Sequence, residues 1–336
     1  MAAVMAAGVT LLAAPIRTFA AQLGMVAIPN RRSSHSVATP VGGGLAFVVP
    51  ATIAWFVLGL RDDDAVLVTI ALTGLALSWI GFLDDRKRVS PVIRLGAQAA
   101  AALAISIMVL GDVGPWTYTL PLLALSTIGM TWSANLFNFM DGLDGLATTE
   151  TLFVAGAGTV LWVSAGGDAT IGLALACLTG AMLGFLPWNA PRARMFMGDT
   201  GSTWLGFTVA ALALHASVRM PDLWSIWLIL PALFVADATV CVVRRAARGE
   251  NVMLGHRAHA YQNLSRLLGS HGKVVLLFAG ANALLLMAAI YAAMHPESAS
   301  TVVAAVYAAA AAAMVAGRSG VHGIAEPQAL TRSGGA

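Results

Sequence analysis

The sequence predicts an all-α integral membrane protein of about eleven transmembrane helices, N-terminus outside and C-terminus cytoplasmic. Three observations carry this. Of 336 residues, 58% are hydrophobic and only 10% charged, against about 25% charged in soluble domains, and mean hydropathy is +0.80. The apolar residues form runs near the ~20 residues a helix needs to cross a hydrocarbon core. They do not alternate with the period of two expected of lipid-facing barrel strands.

In order, the expected spans are 2–22, 43–60, 65–83, 92–110, 120–139, 146–165, 169–188, 202–218, 223–243, 274–294 and 299–316. The first lacks a basic n-region and further apolar segments follow, so it reads as a span rather than a signal peptide. Pro15 and Arg17 near its end leave its boundary open. The loops at 61–64, 111–119, 166–168, 219–222 and 295–298 are short, and of the 19 lysines and arginines only Arg61 and Arg219 fall in them. Basic residues favour the cytoplasm, which assigns the other side to it. Residues 1–316 read as one polytopic domain and 317–336, rich in Gly, Ser and Arg, as a disordered tail. Cys177 and Cys241 lie in apolar runs, so no disulfide framework or cysteine metal site is expected. No internal repeat is evident, which argues against transporters built on inverted repeats.

Polar clusters interrupt the apolar chain at 84–88, 135–145, 197–202 and 256–259, with a further polar loop at 29–35, all on the cytoplasmic side. Carboxylates and carboxamides against apolar runs are costly unless they do chemistry. Asn135, Asn138 and Asp141 recur at helical spacing on one face, and Gly142 and Gly145 then allow the backbone to turn. Amide and carboxylate oxygens together suit a hard cation such as Mg²⁺. Helix capping would need one Asp or Asn, not the four that Asn135, Asn138, Asp141 and Asp144 make. Asp84 and Asp85 close the third span beside Arg86, Lys87 and Arg88, and Arg94 opens the fourth. Salt bridging at the membrane boundary and, for Arg94, snorkelling are the alternatives. Gly198-Asp199-Thr200-Gly201-Ser202 taken alone could be an ordinary N-cap. His256 and His259 could bind zinc, but no third soft ligand is near in sequence. The segment 261–268 places Leu264, Leu267 and Leu268 on one face and could lie along the membrane surface. Asp237, inside the ninth span near Arg244, is unassigned.

From about Pro29 to Lys273 these motifs resemble, in order, those of the polyprenyl-phosphate N-acetylhexosamine-1-phosphate transferases, glycosyltransferase family 4. Asn135-x-x-Asn138-x-x-Asp141-Gly-Leu-Asp144-Gly is similar to the family signature, Asp84-Asp85 to its paired aspartates, 197–202 to its Gly-Asp-x-Gly-Ser motif and 256–259 to its histidine loop. His256-Arg257-Ala258-His259 with Tyr261 and Gln262, and the loop carrying Asn30 and His35, look like the subgroup that initiates O-antigen and other surface glycans, lipopolysaccharide included. Two positions depart from that pattern: Ala27 stands where relatives commonly carry Asp, and Val41 where Arg or Lys is expected.

The resemblance implies transfer of a sugar-1-phosphate from a UDP-N-acetylhexosamine to undecaprenyl phosphate, releasing UMP, at the cytoplasmic face of the bacterial inner membrane. It implies Asp199 and Asn138 as ligands of Mg²⁺ (or Mn²⁺), and Asn30, His35, Arg94, Asn135, His256, Arg257 and His259 as substrate-binding residues. Asp84, Asp85, Asp141 and Asp144 are the candidate catalytic acids; the base among them, and whether a covalent aspartyl intermediate forms, stay open. The expected partners are the two substrates and the lipid bilayer, with no nucleic acid. The family often forms homodimers. The alternatives are an inactive homologue, to which Ala27 points, and an ion- or proton-coupled transporter, which would put acids near the membrane midplane rather than at helix ends.

Overall fold

The computed structural model describes residues 1–28, 37–111, 113–252 and 256–321. The chain is built on helices: α1 (Ala2–Gln22), α2 (Leu45–Arg61), α3 (Ala65–Lys87), α4 (Pro91–Leu110), α5 (Trp116–Met140), α6 (Leu146–Ser164), α7 (Ala169–Asn189), α8 (Gly198–Arg219), α9 (Trp224–Ile229), α10 (Ala232–Ala246), α11 (Ala260–Leu268), α12 (His271–Met294) and α13 (Ala299–Ala316). Short 3-10 turns, Pro221–Leu223 and Pro296–Ser298, precede α9 and α13. Among the described residues, nine helices are long and apolar enough to cross a membrane, and a bent pair makes a tenth. The chain is thus an all-α membrane protein. α2, at 17 residues, is a shorter apolar helix.

The expected ninth span departs from a continuous helix. It is broken between α9 and α10, whose axes bend by 59°. Pro231 stands at the break; proline has no N–H to donate and its ring clashes with the preceding turn.

α8 is the central helix. It packs on α3 and α5 and also meets α4, and it buries Trp204, Phe207, Thr200, Ser202, Thr208 and His215. Hydroxyls and small residues bind its neighbours: Ser78 Oγ donates to Thr200 C=O at 3.0 Å and Ser133 Oγ to Gly206 C=O at 2.6 Å. Such contacts join helices where lipid offers no hydrophobic drive between them. Large apolar side chains such as Leu125, Ile128, Leu276 and Leu284 face outward, a surface suited to lipid rather than water.

Two segments flank the site. A hairpin of β1 (Val26–Ala27) and β2 (Thr39–Pro40) pairs Ala27 with Thr39. Phe196 N–H bonds Pro40 C=O, and the N–H groups of Gly43 and Gly44 bond the carbonyls of Phe196 and Met197. The hairpin is therefore stitched to the approach to α8. In α11, Leu264 and Leu268 pack against the core while Leu267 is exposed, so the three leucines divide rather than share one environment. Composition marked everything from 317 onward as tail, yet residues 317–321 pack, with Ser319 fully buried and Arg244 donating to its carbonyl at 2.9 Å.

Candidate active site

Helix ends distant in sequence converge here. α3 and α8 run antiparallel, so the end of one meets the start of the other. Gly81 permits the approach, because a Cβ there would collide with the backbone of Asp199. Asp85, at the end of α3, accepts from Asp199 N–H at 2.9 Å, Thr200 N–H at 3.1 Å and Thr200 Oγ1 at 2.6 Å. It caps the first turn of α8, where amide donors lack intrahelical partners and the helix dipole favours negative charge. Gly198 is required twice over: its φ is +70°, and a Cβ would strike the Asp85 carboxylate.

Asp199 is turned toward α4 and α5. Its Oδ2 accepts from Arg94 at 2.6 Å and its Oδ1 from Asn138 Nδ2 at 2.7 Å. Asn138 Nδ2 also reaches Ser202 Oγ at 3.1 Å. Arg94 bridges to Asp84 as well, and Val89 N–H donates to that same carboxylate. One guanidinium thus ties Asp84 to Asp199. These residues come from the end of α3, the start of α4, the end of α5 and the start of α8.

Asp141 follows α5. Among the described residues no side-chain hydrogen bond engages its carboxylate, which is pushed well above the usual range, by burial first and then by the charges of Asp199, Asp85 and Asp144. Crowded carboxylates with oxygen ligands are a donor set that fits a hard divalent cation. Within this set Asp199 and Asn138 would be the holders, once Asp199 gives up one of its present donors.

Other expected residues lie elsewhere. Asp144 accepts from Ala193 N–H at 3.0 Å and sits 3.3 Å from His271 Nδ1, which fastens the loop before α8 to α12. Asn135 donates to Gln98 Oε1 at 2.6 Å and to Thr131 C=O at 2.8 Å, joining α5 to α4. Asn30 and His35 lie outside the described residues. Ala27 and Val41 line a cavity of about 350 Å³ with Asp85, Arg86 and Lys87, so both departures from the family pattern share a cavity with Asp85.

The histidine loop docks on the end of α5. Tyr261 Oη donates to Phe139 C=O at 2.8 Å, and the Phe139 and His259 rings stand 6.3 Å apart. His256 and His259 stack at 4.9 Å, and Arg257 between them is half-buried. A third soft ligand does lie close in space: Cys241 Sγ is 3.9 Å from His256 Nδ1, and the ligand atoms of Cys241, His256 and His259 fall within 4.8 Å of one another. His259 Nδ1 stands 3.7 Å from Asp237 Oδ1. Burial alone would lower its pKa, but the neighbouring Asp237 and Cys241 raise it to about 9. Asp237 does not pair with Arg244. It accepts from Ala260 and Tyr261 N–H and from Ser319 Oγ. Sequence reading missed Gln98, Ser319 and Cys241 as partners, since none stands near its contact in the chain.

The fold and site define a helical membrane protein with an acidic, arginine-bridged cluster at converging helix ends, and comparison with known proteins specifies its family. The model of Glycosyl transferase family 4 matches residues 66–217. The chain is 32% identical over 308 residues to the decaprenyl-phosphate N-acetylglucosaminephosphotransferase of Mycobacterium tuberculosis, covering 78% of this chain and 74% of that one. It is 30% identical over 291 residues to the undecaprenyl-phosphate alpha-N-acetylglucosaminyl 1-phosphate transferase of Escherichia coli K12, covering 80% and 77%. It is 35% identical over 235 residues to the phospho-N-acetylmuramoyl-pentapeptide-transferase of Heliobacterium modesticaldum, covering 62% and 68%. The chain belongs to glycosyl transferase family 4.

Proposed function

We propose that this chain transfers an N-acetylhexosamine-1-phosphate from a UDP-sugar to a polyprenyl phosphate of the undecaprenyl type, at the cytoplasmic face of a bacterial inner membrane, as the first membrane step of a surface-glycan pathway. The observation that carries the reading is the Asp84–Arg94–Asp199–Asn138 chain of contacts, formed by four helix ends. An oxygen of the lipid phosphate attacks the phosphorus that bears the sugar, the bond to the bridging oxygen breaks, and UMP leaves. Such transfer asks for positioning and charge neutralisation more than for covalent participation of the protein.

Each residue has a task. Asp199 and Asn138 would hold Mg²⁺, which when bound offsets charge on the diphosphate. Arg94 keeps the Asp199 carboxylate and α4 in register and presents a guanidinium suited to phosphate. Asp85 holds the start of α8 in place. Asp141, whose carboxylate has no side-chain donor among the described residues, takes any proton carried by the acceptor phosphate. His256 and Arg257 would meet the diphosphate from the loop docked on α5, where electrostatic stabilisation has its greatest effect, whereas His259, expected as a third contact, is buried behind them.

The test is UMP release by purified protein given undecaprenyl phosphate and a panel of UDP-N-acetylhexosamines, with and without Mg²⁺. Release that requires lipid and metal supports the reading and names the sugar; no release with any donor overturns it. One observation favours an inactive homologue, namely Ala27 beside Asp85 in the cavity. Activity gained only in Ala27→Asp would favour that alternative.

A further inference from the structure

Asp237 lies fully buried in α10, and the transfer reaction above gives it no task. Its carboxylate gathers donors from two segments far away in sequence. Oδ1 accepts from Ala260 N–H at 2.8 Å and Ser319 Oγ at 2.5 Å, and Oδ2 from Tyr261 N–H at 3.0 Å. His259 Nδ1 stands 3.7 Å from Oδ1. The two amides are the first two of α11, so an anion completes a helix start that has no intrahelical partners for them.

Residues 317–321 form the other half of the fastening. Ser319 Oγ also bonds Asp237 C=O at 3.1 Å, Gly320 N–H bonds Ala258 C=O at 2.6 Å, and Asn263 Nδ2 donates to Arg318 C=O at 2.9 Å. The histidine loop is thus held between α10 and the segment that follows α13.

We propose that Asp237 is a positioning residue: it fixes residues 256–262 so that the partly exposed His256 and Arg257 meet the donor diphosphate, with buried His259 backing the loop and Ser319 as its second anchor. The inference rests on the transferase reading for the diphosphate, but the fastening itself can be measured without turnover. In Asp237→Asn the amide nitrogen brings its own hydrogens, so one of the α11 or Ser319 donors loses its acceptor inside the protein. Ser319→Ala removes one donor and leaves the helix-start bonds.

Hydrogen–deuterium exchange on the full chain in lipid nanodiscs reads the fastening, and steady-state kinetics read its consequence. Exchange of peptides covering 256–268 rises about tenfold in Asp237→Asn and about threefold in Ser319→Ala, while the start of α8 is unchanged. KM for the UDP-sugar rises about tenfold in Asp237→Asn, while KM for undecaprenyl phosphate stays within about twofold. Unchanged exchange at 256–268 overturns the proposal. So does a general rise in exchange across the spans with both KM values moving together, since that is the mark of a merely structural acid. If the wild-type chain releases no UMP with any donor, the transferase reading falls, and the exchange result alone decides whether Asp237 holds the loop.

Discussion

The two ends of the α3–α8 pair carry opposite kinds of electrostatics. At one end Asp64 caps α3, accepting from Leu67 N–H at 2.9 Å, and meets His215 Nε2 at 2.8 Å and Arg219 at 3.2 Å. Although burial opposes ionisation, His215, the Leu67 amide and Arg219 together hold its carboxyl below the usual range. One acid faces two bases, so the group is closed. At the other end Asp84 and Asp199 share Arg94, Asp85 is spent on the α8 start, and Asp141 is left among like charges. That end is left short of positive charge, which a cation with its substrate phosphates would supply. The same two helices therefore carry a clasp at one end and a reaction site at the other.

Substitutions break the comparison to different depths. The largest effect belongs to Asp199→Ala, expected to cut the UMP-release rate about a thousandfold while thermal unfolding stays near wild type. An unchanged rate would remove Asp199 from the metal site. Arg94→Ala severs both of its acidic contacts and lowers kcat/KM about a hundredfold, as charge-assisted bonds of this kind are worth a few kcal/mol. Asp64→Ala acts at the clasp and reverses the pattern. Stability falls by about 3 kcal/mol because buried His215 loses its partner, and kcat stays within about twofold; a large loss of kcat would show the two ends to be coupled. The smallest effect is Thr200→Val, which deletes one of three bonds to Asp85 and costs about 1 kcal/mol of stability. Differential scanning of the purified variants separates these last two from the first two.

Much of the site was legible because polar residues stand out in an apolar chain. Asp84, Asp199 and Asn138 stand out as polar residues beside apolar runs, their roles come from the family resemblance, and the structure brings them into one chain of contacts through Arg94. Asp144 was legible as an acid but not as a fastening between the 193 backbone and His271. Asn135 shares a helix face with Asn138, yet the neighbour it meets is Gln98 of α4. Periodicity locates a face and says nothing of what is opposite it. Cys241 stands in an apolar run, which points away from a ligand role, whereas α10 carries it to His256, 15 residues on.

By itself, the sequence determined the helical membrane class, the approximate helix limits and the roster of unusual acids. Each of these is local: a long apolar run must satisfy its own backbone hydrogen bonds in lipid, and a carboxylate beside such a run is conspicuous wherever the helix goes. Only the tertiary structure decided the pairings. Asp85 and Asp199 meet across 114 positions, and Asp237 and Ser319 across 82. Helix–helix packing, close at Gly81 and interrupted at Pro231, selects such partners, because lipid provides no hydrophobic gradient that would reveal which face of a helix turns inward.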